Sequence, residues 1–199
     1  MKQALADALQ KRGYETLTPV QTAVTAPELA NADLLVSAQT GSGKTVGFGL
    51  AIGDSLLGED EVFERASKPL ALVIAPTREL ALQVKRELQW LYGEARATMA
   101  SCVGGMDMRD ERRTLERGAH LFVAPPRLLR APIMRNSIDL SELPVDTFDD
   151  ADEMLDLGFK HVLDFILGHS PESRRTLMFS ATVPKSIATF SISYPQTPL

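Results

Sequence analysis

Cysteine, basic charge and long apolar runs are all scarce in this chain. A single cysteine, Cys102, stands among 199 residues, which excludes an internal disulfide framework and suits a reducing compartment. No apolar run approaches the ~20 residues that a membrane-spanning helix needs. The opening MKQALADALQ has no apolar segment of the secretory type. The expectation is a cytoplasmic protein, monomeric and without a membrane partner. The formal net charge of −5 excludes bulk attraction to nucleic acid, so any polyanion contact must be local, from loops and helix amino termini. Repeats and low-complexity tracts are absent. His120, His161 and His169 lack the spacing of a metal site.

What is present is an ordinary globular balance, 44% hydrophobic and 24% charged, enough for one domain over residues 1–199 with a full core. Short apolar runs at 33–38, 69–75, 97–103, 120–124, 145–149 and 176–181 read as strands. Helical patterns lie at about 3–12, 19–30, 44–57, 79–93, 107–117, 159–168 and 184–192. Nearly continuous apolar strands alternating with helices predict an α/β fold, a mostly parallel sheet with helices on both faces. Ligands of such sheets bind outside the carboxyl ends of the strands.

The run AQTGSGKT (38–45) follows one of these strands and opens a helix, the context that a phosphate-binding P-loop requires. Gly41 and Gly43 let successive amides, those of Thr40 and Ser42 among them, turn toward a phosphate. Lys44 can reach the β and γ phosphates of ATP, and Thr45 can place its hydroxyl on Mg²⁺. Ala38 stands where the strict pattern has glycine. A second strand ends in an acidic run, VDTFDDADEML, in which Asp149 could hold Mg²⁺ through water and Asp150 could orient the attacking water. These acids would equally suit the start of a helix as caps. Asp146 is out of place, because a charge in a buried parallel strand is costly unless paired.

Taken together, the segments resemble the DEAD-box helicases, in order and over about residues 3–193. GYETLTPVQ (13–21) looks like the family's Q motif, with Leu17 where proline is common. AQTGSGKT, PTRELA (76–81), Gly104–Gly105, DDAD (149–152) and SAT (180–182) follow. The resemblance implies a RecA-like P-loop NTPase fold and RNA-stimulated ATP hydrolysis coupled to local strand separation. It implies that Gln21 reads the adenine edge, which its amide suits as both donor and acceptor. Tyr14 would pack on the base. Thr77 and Arg78, after a strand and at a helix start, would meet RNA phosphates with Gly104, Gly105 and Arg127. Ser180 and Thr182 would couple hydrolysis to strand opening through bonds to the acidic motif. Blander readings stand beside these: a solvated helix residue for Gln21, a first-turn acid for Glu79, a plain turn for the glycine pair.

Three departures bear on activity. Asp150 occupies the place of the family's catalytic glutamate and is one methylene shorter, a setback of roughly 1 Å that can cost ~10²-fold in rate. VAPPRLLR (123–130) stands where the family has Thr-Pro-Gly-Arg, which leaves either Arg127 or Leu128 in the arginine's place. SISYPQTPL falls where the family continues into a second RecA-like domain, so the expected partner of this chain is that domain. Two other readings remain open: a non-catalytic, nucleotide-gated RNA-binding module, and a different P-loop enzyme such as a DNA helicase or a kinase.

Overall fold

The computed structural model describes residues 1–39, 42–104, 108–185 and 187. Six strands run β1 Leu34–Ser37, β2 Ala71–Ile74, β3 Met99–Ser101, β4 Leu121–Ala124, β5 Val145–Phe148 and β6 Arg175–Ser180. They form one sheet in the order β1-β6-β5-β2-β4-β3, and every neighbouring pair is parallel. The predicted strands are thus all present, each within about two residues of its expected span.

Every residue of β2, β4, β5 and β6 is buried, as strands covered on both faces must be. Alternate side chains feed two cores. Ala71, Val73, Leu121, Val123, Leu177 and Phe179 point into one, with residues of α1 Gln3–Lys11, α3 Lys44–Ala51, α4 Gly53–Leu57 and α5 Arg78–Leu91. Leu72, Ile74, Phe122, Ala124, Phe148 and Met178 point into the other, with α7 Arg130–Met134, α8 Ala151–Asp156 and α9 Lys160–Gly168.

Helix boundaries depart from expectation at several places. The segment 19–30 divides into α2 Pro19–Val24 and a 3₁₀ turn, Pro27–Leu29. The segment 44–57 breaks at Ile52 into α3 and α4. α6 Met108–Arg117 is as expected, whereas α7 and α8 were not foreseen. The helix expected at 184–192 lies almost wholly outside the described residues. No described helix is long and apolar enough to cross a membrane.

Asp146, the misplaced charge of β5, is fully buried and paired. Its Oδ1 accepts from the Thr176 hydroxyl at 2.6 Å, and its Oδ2 lies 3.2 Å from Nε of buried Arg174. Burial still prevails over these partners and pushes its carboxyl up to about 6. Arg175, also buried, donates to the carbonyls of Leu29, Ala32 and Ala51, tying three segments to the start of β6.

Candidate active site

Strand order divides the carboxyl edge of the sheet into two halves. The phosphate-loop segment follows β1, the Ser180–Thr182 segment ends β6, and the acidic run follows β5, on three adjacent strands. Thr77, Gly104 and Arg127 follow β2, β3 and β4, the three strands of the other half. Residues distant in sequence are therefore gathered into two neighbouring groups. Two bonds lace the first group: Ala38 N–H donates to Ser180 O at 2.9 Å, and the Gln39 side-chain Nε2 donates to Ala181 O at 3.0 Å.

Lys44 opens α3 and extends its ammonium between two carboxylates. It lies 3.0 Å from Asp149 Oδ1 and is bonded to Asp150 Oδ1. Only 11% of the Lys44 side chain and 3% of the Asp149 side chain reach solvent, so the pair is screened little. Burial pushes the Asp149 carboxyl up to about 6; Lys44 opposes the rise and Asp150 adds to it. Burial by itself lowers the Lys44 ammonium, but the two carboxylates outweigh it and hold its pKa above the ordinary lysine value. Asp150 sits at the amino end of α8 with left-handed φ of 51° and makes no side-chain cap, because its carboxylate is turned to Lys44. The helix-cap alternative thus fails for this side chain.

Gly43 turns the chain into α3 at φ +78°, where a Cβ would stand 2.5 Å from Gln21 Nε2. Gln21 is fully buried, which removes the solvated alternative. Its Oε1 accepts from Thr18 N–H at 2.9 Å, while Thr18 Oγ1 accepts from Gln21 N–H, a reciprocal capping box at the start of α2. Its Nε2 donates to Gly43 O at 3.1 Å. Both ends of the amide are thus occupied, and Gln21 pins the phosphate-loop segment to α2. Ser42 is half-buried with an unbonded Oγ, and Thr45 lies in the first turn of α3. Thr40 and Gly41 lie outside the described residues.

Thr182 bonds the acidic run twice: its N–H and its hydroxyl donate to Asp152 Oδ2 at 3.1 and 2.9 Å. Ser180 turns inward and donates to the Thr182 carbonyl. Both hydroxyls act on Asp152: Thr182 bonds it directly, and, against the rise that burial causes, Thr182 and Ser180 together hold its carboxyl below the ordinary carboxylate value.

In the other half, the Thr77 hydroxyl caps α5 by accepting from Leu80 N–H at 3.2 Å, and Arg78 is exposed beside it. Glu79 is exposed in the first turn. Gly104 turns at φ +74° against Leu128, so the position demands a left-handed residue; Gly105 lies outside the described residues. Arg127 is exposed, while Leu128 faces Gly104 and lends its carbonyl to Cys102. Of the two candidates for the arginine's place, only Arg127 presents a cation to solvent.

A cleft of about 280 Å³ opens along Tyr14, Gly43, Lys44, Thr45, Leu80, Gln83, Glu87, Asp149 and Asp150. A larger cavity of about 580 Å³, lined by Arg65, Arg113, Arg117 and neighbours, contains none of the motif residues, so the smaller cleft is the candidate site. Gln83 and Glu87 were not anticipated; both lie on the cleft side of α5, and no motif marks them. Tyr14 stacks on Trp90 of α5, ring centroids 5.6 Å apart at 27°.

A parallel α/β sheet that sets Lys44 of a P-loop segment against a carboxylate two strands away defines a RecA-like nucleotide-binding domain. A family model described as DEAD/DEAH box helicase matches residues 18–190, and the chain belongs to that family. It is 37% identical over 187 residues to the DEAD-box ATP-dependent RNA helicase CshA of Geobacillus kaustophilus, covering 94% of this chain and 39% of that protein. It is 38% identical to the ATP-dependent RNA helicase DbpA of Escherichia coli, covering 96% of this chain and 41% of that protein. Among solved structures, a DEAD box protein from Methanococcus jannaschii superposes with TM-score 0.87 at 29% identity, covering 98% of this chain and 52% of that one. The yeast DEAD-box splicing factor Prp28 gives TM-score 0.87 at 28% identity, covering 97% and 47%. The chain thus spans between 30% and 41% of the length of such curated relatives.

Proposed function

We propose that this chain is the ATP-binding half of an ATP-dependent RNA helicase, working with a second RecA-like domain. The carrying observation is the half-buried Lys44 ammonium held between Asp149 and Asp150. When ATP enters, its phosphates take over the ammonium, supported by the amides around Gly43 and the amino end of α3. Asp149 and Thr45 face the same cleft, and the buried Asp149 Oδ1 has the Lys44 ammonium 3.0 Å away, a cation that incoming phosphates would draw off. No cluster of three or more His, Cys, Asp or Glu side chains suited to a metal occurs among the described residues. One carboxylate and one hydroxyl fit Mg²⁺, which keeps most of its water shell, better than a cation needing a full protein cage. Bound there, Mg²⁺ would neutralise charge on the β and γ phosphate oxygens.

Asp150 orients the attacking water from its place beside Lys44, with a carboxylate about one methylene short of the glutamate position. Tyr14 lies along the base, and Gln21 reads the adenine edge by exchanging its bond to Gly43 O for the base. RNA phosphates follow Thr77, Arg78, Gly104 and Arg127 across the second half of the edge. Thr182 reports the state of the acidic run through Asp152. The test is ATP turnover of this chain joined to its second domain, with RNA, with DNA of the same sequence, and with neither. Stimulation by RNA above DNA is expected. Equal stimulation would favour a DExD/H-type DNA helicase.

A second reading rests on Asp150: a nucleotide-gated RNA-binding module that has lost turnover. Asp150→Glu in the joined protein separates the two. A rise in turnover toward ~10²-fold identifies an enzyme limited by the short side chain, and no change identifies a non-catalytic module.

A further inference from the structure

The chain's single tryptophan does not line the candidate cleft, yet it holds two of the side chains that do. Trp90 stacks under Tyr14 at 5.6 Å and 27°, and its Nε1–H donates to Glu87 Oε2 at 3.2 Å. The Arg12 guanidinium lies 5.3 Å from the same ring, fixing the chain just before Tyr14 onto α5. Tyr14 otherwise follows a turn at Gly13, φ +86°, with nothing within 4 Å of where a Cβ would stand. It is 37% exposed, and Trp90 is the ring against which it stacks. Glu87 likewise projects from a helix surface, where its rotamers are free until a partner selects one.

We propose that Trp90 is a positioning residue for the base-and-ribose end of the nucleotide cleft. It seats the Tyr14 ring as an aromatic wall and aims the Glu87 carboxylate as an acceptor for an amino or hydroxyl donor of the nucleoside. This rests on reading the cleft as the nucleotide site. No hydrogen bond, ion pair or ring contact joins Trp90 to Lys44, Thr45 or Asp149, so the phosphate end is held by other partners. Removing the indole leaves Tyr14 to sample its three χ1 wells, with Glu87 released as well. Apparent affinity falls by the fraction of time in which the pocket is correctly arranged, roughly 3–10-fold.

The test compares ATP with inorganic tripolyphosphate, which has the phosphates and no nucleoside, by calorimetry with Mg²⁺ on the 199-residue chain. Trp90→Leu is expected to weaken ATP about 3–10-fold and to leave tripolyphosphate unchanged. Trp90→Phe keeps a ring under Tyr14 but loses the bond to Glu87. It should weaken ATP by about 2–3-fold, and it carries the test alone if the leucine variant does not fold. Equal weakening of both ligands would mean a general structural role and overturn the proposal, as would unchanged ATP affinity. Failure of the unmodified chain to bind ATP would instead overturn the nucleotide reading itself, and this inference with it.

Discussion

Replacing Gly43 with alanine tests whether the phosphate-loop segment is locked to α2 by Gln21. Two costs are separable. The first is backbone: an L-residue at φ +78° loses ~1–2 kcal/mol. The second is contact: the new Cβ would lie 2.5 Å from Gln21 Nε2 and 3.2 Å from the Thr18 side chain. The amide must move and give up its bond to Gly43 O. Because Gln21 is buried, the freed N–H finds no water, a penalty of ~1–3 kcal/mol. Gly158 supplies the control, with φ +83° and nothing within 4 Å, so its alanine variant carries the backbone cost alone. Urea unfolding of both should show Gly43→Ala losing ~1–3 kcal/mol more than Gly158→Ala. In a Gln21→Ala background that excess should vanish. Equal losses for the two glycine variants, or no relief in the double variant, would refute the lock.

Asp146 gives a pH signature. Its folded pKa of about 6 lies above the ordinary carboxylate value, so between about pH 4 and 6 the native state holds a proton that the unfolded chain has released. Stability from this group therefore rises as pH falls through 6, by at most ~1.4 kcal/mol per pH unit relative to Asp146→Asn. Urea midpoints at pH 5 and 7.5 should diverge between the two proteins; parallel profiles would contradict the assignment. Thr182→Val removes one of the two bonds to Asp152 Oδ2. In the two-domain protein, ATP affinity should stay within about twofold while RNA-stimulated turnover falls, since a surface bond of this kind contributes ~1 kcal/mol. Stopped-flow ATPase with and without RNA checks it.

Most strands were legible because burial on both sheet faces writes them as unbroken apolar runs, ALVI and LFVA being the plainest. The phosphate loop and acidic run were legible because each sits where a strand ends. α8 was hidden by the same acids: ADEMLD is short and reads as the tail of β5. α7 was hidden by Pro132, which sits in its first turn, where proline is tolerated. Thr18 and Gln21 do carry a capping-box spacing, but the bond to Gly43 depends on how α2 meets α3, which local sequence does not encode. The partner of Asp146 arrives from the start of β6, and Trp90 meets Tyr14 only because the end of α1 returns to α5. Such pairings follow from strand order and helix docking. They become visible only once the sheet is assembled.

Nucleotide titration of the isolated domain bears most directly on the site. With millimolar ATP and Mg²⁺, the unmodified chain should give a saturable calorimetric isotherm, and Lys44→Ala should abolish it. An unmodified chain that gives no heat, or a Lys44→Ala variant that binds as tightly as its parent, would contradict the reading of residues 42–45 and Asp149 as one phosphate-binding pocket.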